Sequence, residues 1–356
     1  LFYFTLICIF FVVGFFKTTN IDDQSYILNY TAKLLIVPFV VHSIPTLIKS
    51  TENLKSFLYY FGITFILVYS YLHYLYIFVL KQSYVGVIIE SGYSMVGKNS
   101  FGASIAFILP FIFVYLYSKS SNKSIIFLTF ILIIISAYFI ESRSMVIVII
   151  VELFVLLIIT TSKKIKKHLL FFSLIGSMII PLVFLENFKS FFYKGLYKSP
   201  ENQTIIDARN KNYGYNQDYI FFNTHRGWLL HESLIGAKDN YFIGSGFGTF
   251  RIRDTNRGSK TETHNDWALI LYETGVFGFS ALLIFFYSRF HSFYFSSKKI
   301  IRDDLYLQAS IASLFGLMIM MLFTNFINTG IFWFIIALNI GIHRNILNSE
   351  NYSIKS

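Results

Sequence analysis

The chain has 356 residues, of which 55% are hydrophobic, 20% aromatic and only 14% charged. In soluble domains about a quarter of the residues are charged, so this composition excludes an ordinary soluble protein and indicates a polytopic α-helical membrane protein. The single cysteine, Cys8, excludes an intrachain disulfide and argues against a cysteine-based metal cluster. The formal net charge of +11 could suit nucleic acid, but membrane topology explains most of it, and we expect no nucleic-acid partner.

Apolar runs long enough to cross about 30 Å of hydrocarbon predict about ten membrane spans. The chain starts at Leu1 inside such a run, so we expect one or more further helices before it rather than a signal peptide. We divide the chain into an N-terminal transmembrane bundle (1–185), a large extracytoplasmic loop (186–265) and C-terminal spans with a tail (266–356). The predicted spans are 1–16, 32–48, 57–80, 101–117, 124–140, 145–160, 169–185, 267–287, 305–327 and 331–342.

The lysines and arginines of the short connections set the orientation, because basic connections stay in the cytoplasm. Every second connection is rich in them, and the connections between carry few. This alternation predicts a cytoplasmic C-terminus and places the loop at 186–265 outside. The cluster at 163–167 is expected to anchor the protein to anionic lipids rather than to bind a ligand. The basic set is Lys49, Lys55, Lys119, Lys123, Lys163, Lys164, Lys166, Lys167, Arg289, Lys298, Lys299, Arg302, Arg344 and Lys355.

The external loop has its own organisation and does not read as a disordered linker. Residues 228–235 have the pattern of a short amphipathic helix, and Gly236 is predicted to end it. Residues 241–250 then form an aromatic, glycine-rich turn. Its glycines do not have the spacing or the flanking elements of a dinucleotide-binding motif, so we expect no nucleotide cofactor. The loop is expected to fold over the helix bundle as a cap.

Cationic side chains and one imidazole collect on this predicted outer face. Arg143 lies at the outer junction of two predicted spans, Arg226 opens the loop helix, Arg251 and Arg253 follow the glycine turn, and His264 closes the loop. Taken singly, each arginine has the ordinary alternative of contacting lipid phosphate, and a loop histidine is more often solvated than catalytic. Together they form a group of cations beside one imidazole, and histidine is the side chain most easily poised as a proton acceptor near neutral pH.

The pattern resembles the superfamily of O-antigen ligases and Wzy-type polymerases, which are bacterial membrane glycosyltransferases. The likeness covers most of the chain from about Tyr93 onward, and its most specific part begins with His264-Asn265. The residues that carry it are Leu269, Leu271, Glu273, Gly275 and Gly278 after that pair, with Ser142-Arg143, Arg226-Gly227-Trp228, the Gly-Ser-Gly-Phe-Gly run at 244–248 and the turn at 96–103.

The resemblance implies a GT-C-like, all-α transmembrane bundle in the bacterial inner membrane. It implies transfer of glycan from undecaprenyl diphosphate on the periplasmic or extracellular face, for O-antigen, other lipopolysaccharide or capsule. The expected partners are this donor, an acceptor glycan or lipid, membrane lipids and a chain-length regulator. His264 is the expected base; Arg143, Arg226 and Arg251 are expected at the diphosphate. Asn265, Glu273 and Trp228 are expected to support them. We expect no cofactor and no metal, since the outer face has no Asp-x-Asp pair.

Several alternatives stay open at this level. A polymerase that joins repeat units is favoured over a ligase that moves finished chains to lipid A core or another acceptor. A flippase or solute transporter would predict internal repeats and charged midplane residues, and a channel would predict a filter loop; neither pattern is evident. Glu273 is equally compatible with a functional carboxylate and with a buried hydrogen bond to a neighbouring helix. Gly275 and Gly278 are expected to allow close helix packing.

Overall fold

The computed structural model describes residues 2–18, 20–48, 53–54, 56–58, 60, 64, 98–119, 143–163, 165–170, 225–252, 263–295, 302–327 and 329–355. Within these residues all regular structure is helical. The helices are α1 (Phe2–Phe16), α2 (Ile21–Leu35), α3 (Val37–Leu47), α4 (Lys98–Lys119), α5 (Arg143–Ile159), α6 (His225–Asp239), α7 (Thr249–Ile252), α8 (Asp266–Tyr294), α9 (Leu305–Met320) and α10 (Gly330–Lys355).

Three stretches in the described part of the chain are long and apolar enough to cross a membrane. They are Ile21–Leu47, which joins α2 and α3, Asp266–Tyr294 and Gly330–Leu347. Shorter apolar helices cover Ala106–Tyr115, Ser144–Ile159 and Leu305–Met320. The predicted all-helical membrane class is therefore confirmed, while the number of about ten spans stays a prediction. The expected span at 124–140 and the first part of the loop, 186–224, lie outside the described residues.

Two predicted helix boundaries are wrong. The span expected at 32–48 is covered by the end of α2, which already begins at Ile21, and by α3. The start of α2 is stabilised by Asn20, whose Oδ1 accepts from the backbone N of Asp22 at 2.9 Å, and by acidic residues in the first turn, which favour a helix N-terminus. The last span, predicted to end at 342, continues as helix to Lys355. A helix can extend beyond an apolar run because its backbone hydrogen bonds do not require apolar side chains.

The chain forms two compact units. Unit one contains residues 1–32 and 176–282, and unit two contains residues 33–175 and 283–356. In unit two, α9 packs against α4, α5 and α10, and α10 also packs against α3. Phe107 and Phe326 are fully buried in this bundle, and their rings meet at 5.2 Å. Unit two is therefore a helical bundle with an aromatic core.

Polar side chains inside unit two also join its helices. Arg289, on the last turns of α8, donates from Nε to Asn339 Oδ1 at 2.8 Å, and Asn339 Nδ2 donates to Ser310 Oγ at 2.9 Å. The carboxyl group of Glu152 is buried on α5 at the place where Gly316 has no side chain. These contacts tie α8 to α9 and α10, and α5 to α9.

Candidate active site

Helix α8 is broken at Gly275, inside the apolar run that predicts one continuous span at 267–287. Gly275 has φ 63° and ψ −167°, a conformation almost confined to glycine. The rings of Trp267 and Phe279 lie 5.9 Å apart, although a straight helix would separate these residues by about 18 Å along its axis. The chain therefore bends at Gly275, and the expected continuous span is corrected to two segments, 266–274 and 276–294.

The residues 240–248, here called the glycine turn, dock into this break. A broken helix leaves carbonyl groups of the first segment and amide groups of the second without helical partners. Backbone groups of the glycine turn supply those partners, so the turn and the break stabilise each other. The four hydrogen bonds run from Ser245 N to Tyr272 O at 2.9 Å, from Gly246 N to Glu273 O at 2.8 Å, from Val276 N to Tyr241 O at 2.8 Å and from Phe277 N to Phe242 O at 3.2 Å.

Glycine is required in this turn because backbone meets backbone there. Gly244 and Gly246 have φ values of 76° and 93°, which L side chains rarely adopt. A Cβ on Gly244 would lie 2.5 Å from the carbonyl oxygen of Glu273, and one on Gly246 would overlap the backbone of Gly14 on α1. The ring of Phe247 meets that of Phe10 on α1 at 5.4 Å. The glycine turn is thus held between α1 and the break in α8.

His264 immediately precedes the residue that caps α8. Oδ1 of Asn265 accepts from the backbone N of Ala268 at 3.0 Å, which satisfies an amide of the first turn. His264 itself has φ 53°, in the left-handed region that histidine tolerates better than most residues, and its side chain is half-buried. The start of the helix therefore fixes the backbone of His264, and the side chain of Asn265 serves as the helix cap.

Arg251 lies on α7, directly after the glycine turn, and contacts an aromatic ring of α2. Its guanidinium carbon is 4.8 Å from the centroid of the Tyr26 ring, within cation–π range. The side chain of Arg251 is half-buried. Both residues belong to unit one, so unit one positions this guanidinium.

Glu273 is buried beside the break, and it is linked to the same helix α2. The hydroxyl of Tyr30 donates to Glu273 Oε2 at 3.2 Å, and the carboxylate side chain is only 3% exposed. This hydrogen bond is the structural alternative that the sequence left open for Glu273.

The other expected site residues lie at helix starts. Arg143 is the first residue of α5, in unit two, whereas Arg226 and Trp228 are in the first turn of α6, in unit one. Arg253 lies outside the described residues. The expected end of the loop helix at Gly236 is wrong, because α6 continues to Asp239. Gly236 instead makes room for the ring of Tyr272, which a Cβ at this position would overlap.

Sequence reasoning overlooked Tyr26 and Tyr30, which hold Arg251 and Glu273. They lie four residues apart on α2, and their rings are 6.0 Å from each other. Their spacing on a capped helix was the available signal, since residues i and i+4 share a helix face. The apolar runs of the sequence predict a connection between spans at 17–31, so they do not indicate this helix.

Among the described residues, no group of three or more His, Cys, Asp or Glu side chains is placed to hold a metal ion. Residues 128–283 match the family model described as Wzy_C, O-Antigen ligase. This match confirms the resemblance stated from the sequence and spans just under half of the chain. No curated protein and no solved structure matches the chain.

Proposed function

We propose that the protein is a glycosyltransferase that uses a polyprenyl-diphosphate-linked glycan donor, because residues 128–283 match the family model described as O-Antigen ligase. The reaction takes place at the outer face of the bacterial inner membrane, with undecaprenyl as the lipid. The observation that carries the proposal is the family match itself, because the matched segment contains every site residue expected from the sequence: Arg143, Arg226, Trp228, Arg251, His264, Asn265 and Glu273.

In this reaction an acceptor hydroxyl attacks the anomeric carbon of the donor glycan. The new bond joins the acceptor oxygen to that carbon, and the bond from the carbon to the diphosphate oxygen breaks. His264 accepts the proton of the attacking hydroxyl, and undecaprenyl diphosphate leaves with the bonding electrons. Diphosphate is a good leaving group, so the site mainly needs cations that stabilise its developing charge.

The guanidinium groups of Arg143, Arg226 and Arg251 have that role in the proposal. Arginine donates paired hydrogen bonds to phosphate oxygens and stays charged at any physiological pH. The half-buried environment of Arg251 supports its assignment, because a charge near apolar surroundings interacts more strongly with an anion than a charge in bulk water. These cations can act without a divalent metal ion, and we propose a metal-independent enzyme.

We propose polymerisation of repeat units as the activity, with a ligase as the second candidate. The ligase is supported by the description of the matched family, O-Antigen ligase. Both activities share the donor and the chemistry, and they differ in the acceptor. A polymerase uses another lipid-linked repeat unit, whereas a ligase uses lipid A core or another acceptor.

A deletion strain tests the proposal and separates the candidates. Surface glycan capped with one repeat unit, restored to a ladder by the wild-type gene, is the expected result. Long chains that accumulate on the undecaprenyl carrier would identify a ligase. Glycan intermediates confined to the cytoplasmic face would contradict both and would identify a flippase. The His264→Ala variant should be inserted at normal levels and should not restore the ladder.

A further inference from the structure

Helix α2 precedes the segment that matches the O-antigen ligase family, yet it contacts two of the proposed site residues. Tyr26 contacts Arg251, and one helical turn later Tyr30 donates to Glu273. These contacts join α2 to both sides of the glycine turn, since Arg251 follows the turn and Glu273 lies at the break into which the turn docks. The face of α2 that carries the two tyrosines therefore forms part of the surroundings of the proposed site.

The backbone of the glycine turn allows this contact. Gly248 has φ 76°, and a Cβ on it would lie 3.3 Å from Cε1 of Tyr26 and 3.3 Å from Cγ1 of Ile27. Gly248 thus lets α7 approach α2 closely enough for Arg251, three residues later, to reach the Tyr26 ring. On the other side, the Phe247 ring lies 6.3 Å from the Tyr30 ring. The turn, α7 and α2 are therefore packed as one cluster within unit one.

A cation–π contact orients a guanidinium through its charge and does not consume the in-plane hydrogen-bond donors that bind phosphate oxygens. An arginine side chain has many rotamers, and binding an anion in one geometry requires most of them to be given up. A ring that already selects one orientation lowers that entropic cost. Tyr26 is suited to this because its side chain is half-buried and its helix is fixed through Tyr30.

We propose that Tyr26 is a positioning residue that holds the Arg251 guanidinium toward the diphosphate of the lipid-linked donor, a role that rests on the proposed function. Helix α2 therefore completes the diphosphate site from outside the matched segment. The aromatic ring is the required group, and the hydroxyl of Tyr26 is not. Tyr26→Phe keeps the ring and should preserve binding, whereas Tyr26→Leu removes the ring and should weaken binding.

The test measures equilibrium binding of undecaprenyl diphosphate, the leaving group, to the purified full chain in nanodiscs. Tyr26→Leu should raise the Kd by roughly 2- to 30-fold, the range of a partly desolvated cation–π contact, and Tyr26→Phe should stay within about twofold of wild type. In an Arg251→Ala background, Tyr26→Leu should have no further effect, because the ring would have no guanidinium to position. The control is Tyr287→Leu, which removes a ring that is 66% exposed on α8 and should leave the Kd unchanged.

Three results would overturn the positioning role. The first is equal weakening by Tyr26→Phe and Tyr26→Leu, and the second is a Tyr26→Leu effect that persists without Arg251. The third is an unchanged Kd in Tyr26→Leu while the wild type binds the lipid, which would leave the proposed function standing. A wild-type protein that does not bind undecaprenyl diphosphate would instead contradict the proposed function and this inference together.

Discussion

Replacement of Gly275 by alanine should separate the glycine turn from α8. Gly275 has φ 63° and ψ −167°, and a non-glycine residue held in such a region costs about 1–3 kcal/mol. The new Cβ would also overlap the carbonyl oxygen of Phe242 and lie 2.6 Å from the backbone N of Gly244. Both contacts are with backbone, so the strain cannot be relieved by rotating a side chain.

The glycine turn must therefore shift away, and two hydrogen bonds are lost with it. They are those from Val276 N to Tyr241 O and from Phe277 N to Phe242 O, worth about 0.5–1.5 kcal/mol each. When the cost of alanine in the Gly275 backbone conformation is added, Gly275→Ala should destabilise the state in which the glycine turn is docked into the break by about 2–6 kcal/mol. Alanine also favours a continuous helix over glycine by about 1 kcal/mol, which adds to the tendency of α8 to straighten.

The single cysteine provides the assay, because Cys8 lies on α1 and is half-buried, and α1 packs against the glycine turn. Labelling of Cys8 by a thiol-reactive dye during heating in detergent reports the opening of unit one. The midpoint should fall by about 4 °C or more in Gly275→Ala. Gly330→Ala is the matched control, since a Cβ on Gly330 would meet nothing within 4 Å, and its midpoint should stay at the wild-type value. Equal midpoints for Gly275→Ala and Gly330→Ala would refute the docking of the turn into the break.

Three further predictions concern the helix cap, the metal and the topology. Asn265→Ala should destabilise the protein by about 0.5–2 kcal/mol because α8 loses its cap. Asn265→Asp keeps a capping oxygen, so its Cys8 labelling midpoint should stay at the wild-type value. An equal fall of the midpoint in both variants would argue against capping. EDTA should leave glycan transfer by the purified protein unchanged, and activity that is lost with EDTA and restored by a divalent cation would contradict a site built on arginines. In a Cys8→Ser background, a membrane-impermeant maleimide should label Lys238→Cys and not Lys163→Cys in intact spheroplasts; the reverse pattern would invert the proposed orientation. Both lysines are exposed.

The apolar runs of the sequence predict where several of the described helices begin. The starts of α4, α5, α9 and α10 lie within about three residues of the predicted span starts, because the burial of apolar side chains determines both. The predicted glycine turn is also confirmed, since positive φ values are a local property of glycine.

The features that could not be predicted from the sequence depend on contacts between residues far apart in the chain. The break at Gly275 needs the glycine turn, some 30 residues earlier, to satisfy the freed backbone groups. Gly236 does not end α6 because its missing side chain accommodates Tyr272. The spacing of Tyr26 and Tyr30 places both rings on one face of α2, but it does not show that α7 and α8 pack against that face.

Transfer of glycan from a defined undecaprenyl-diphosphate donor by the purified protein in liposomes tests the central claim most directly. The protein and donor are incubated with a lipid-linked repeat unit as acceptor, and the lipid products are resolved by mass spectrometry. Wild type should form the product that is longer by one repeat unit and release undecaprenyl diphosphate in equal amount. His264→Ala should bind undecaprenyl diphosphate with unchanged affinity and form that product at least 100-fold more slowly, the lower end of the usual effect of a general base. Product formation by His264→Ala at the wild-type rate would contradict the account.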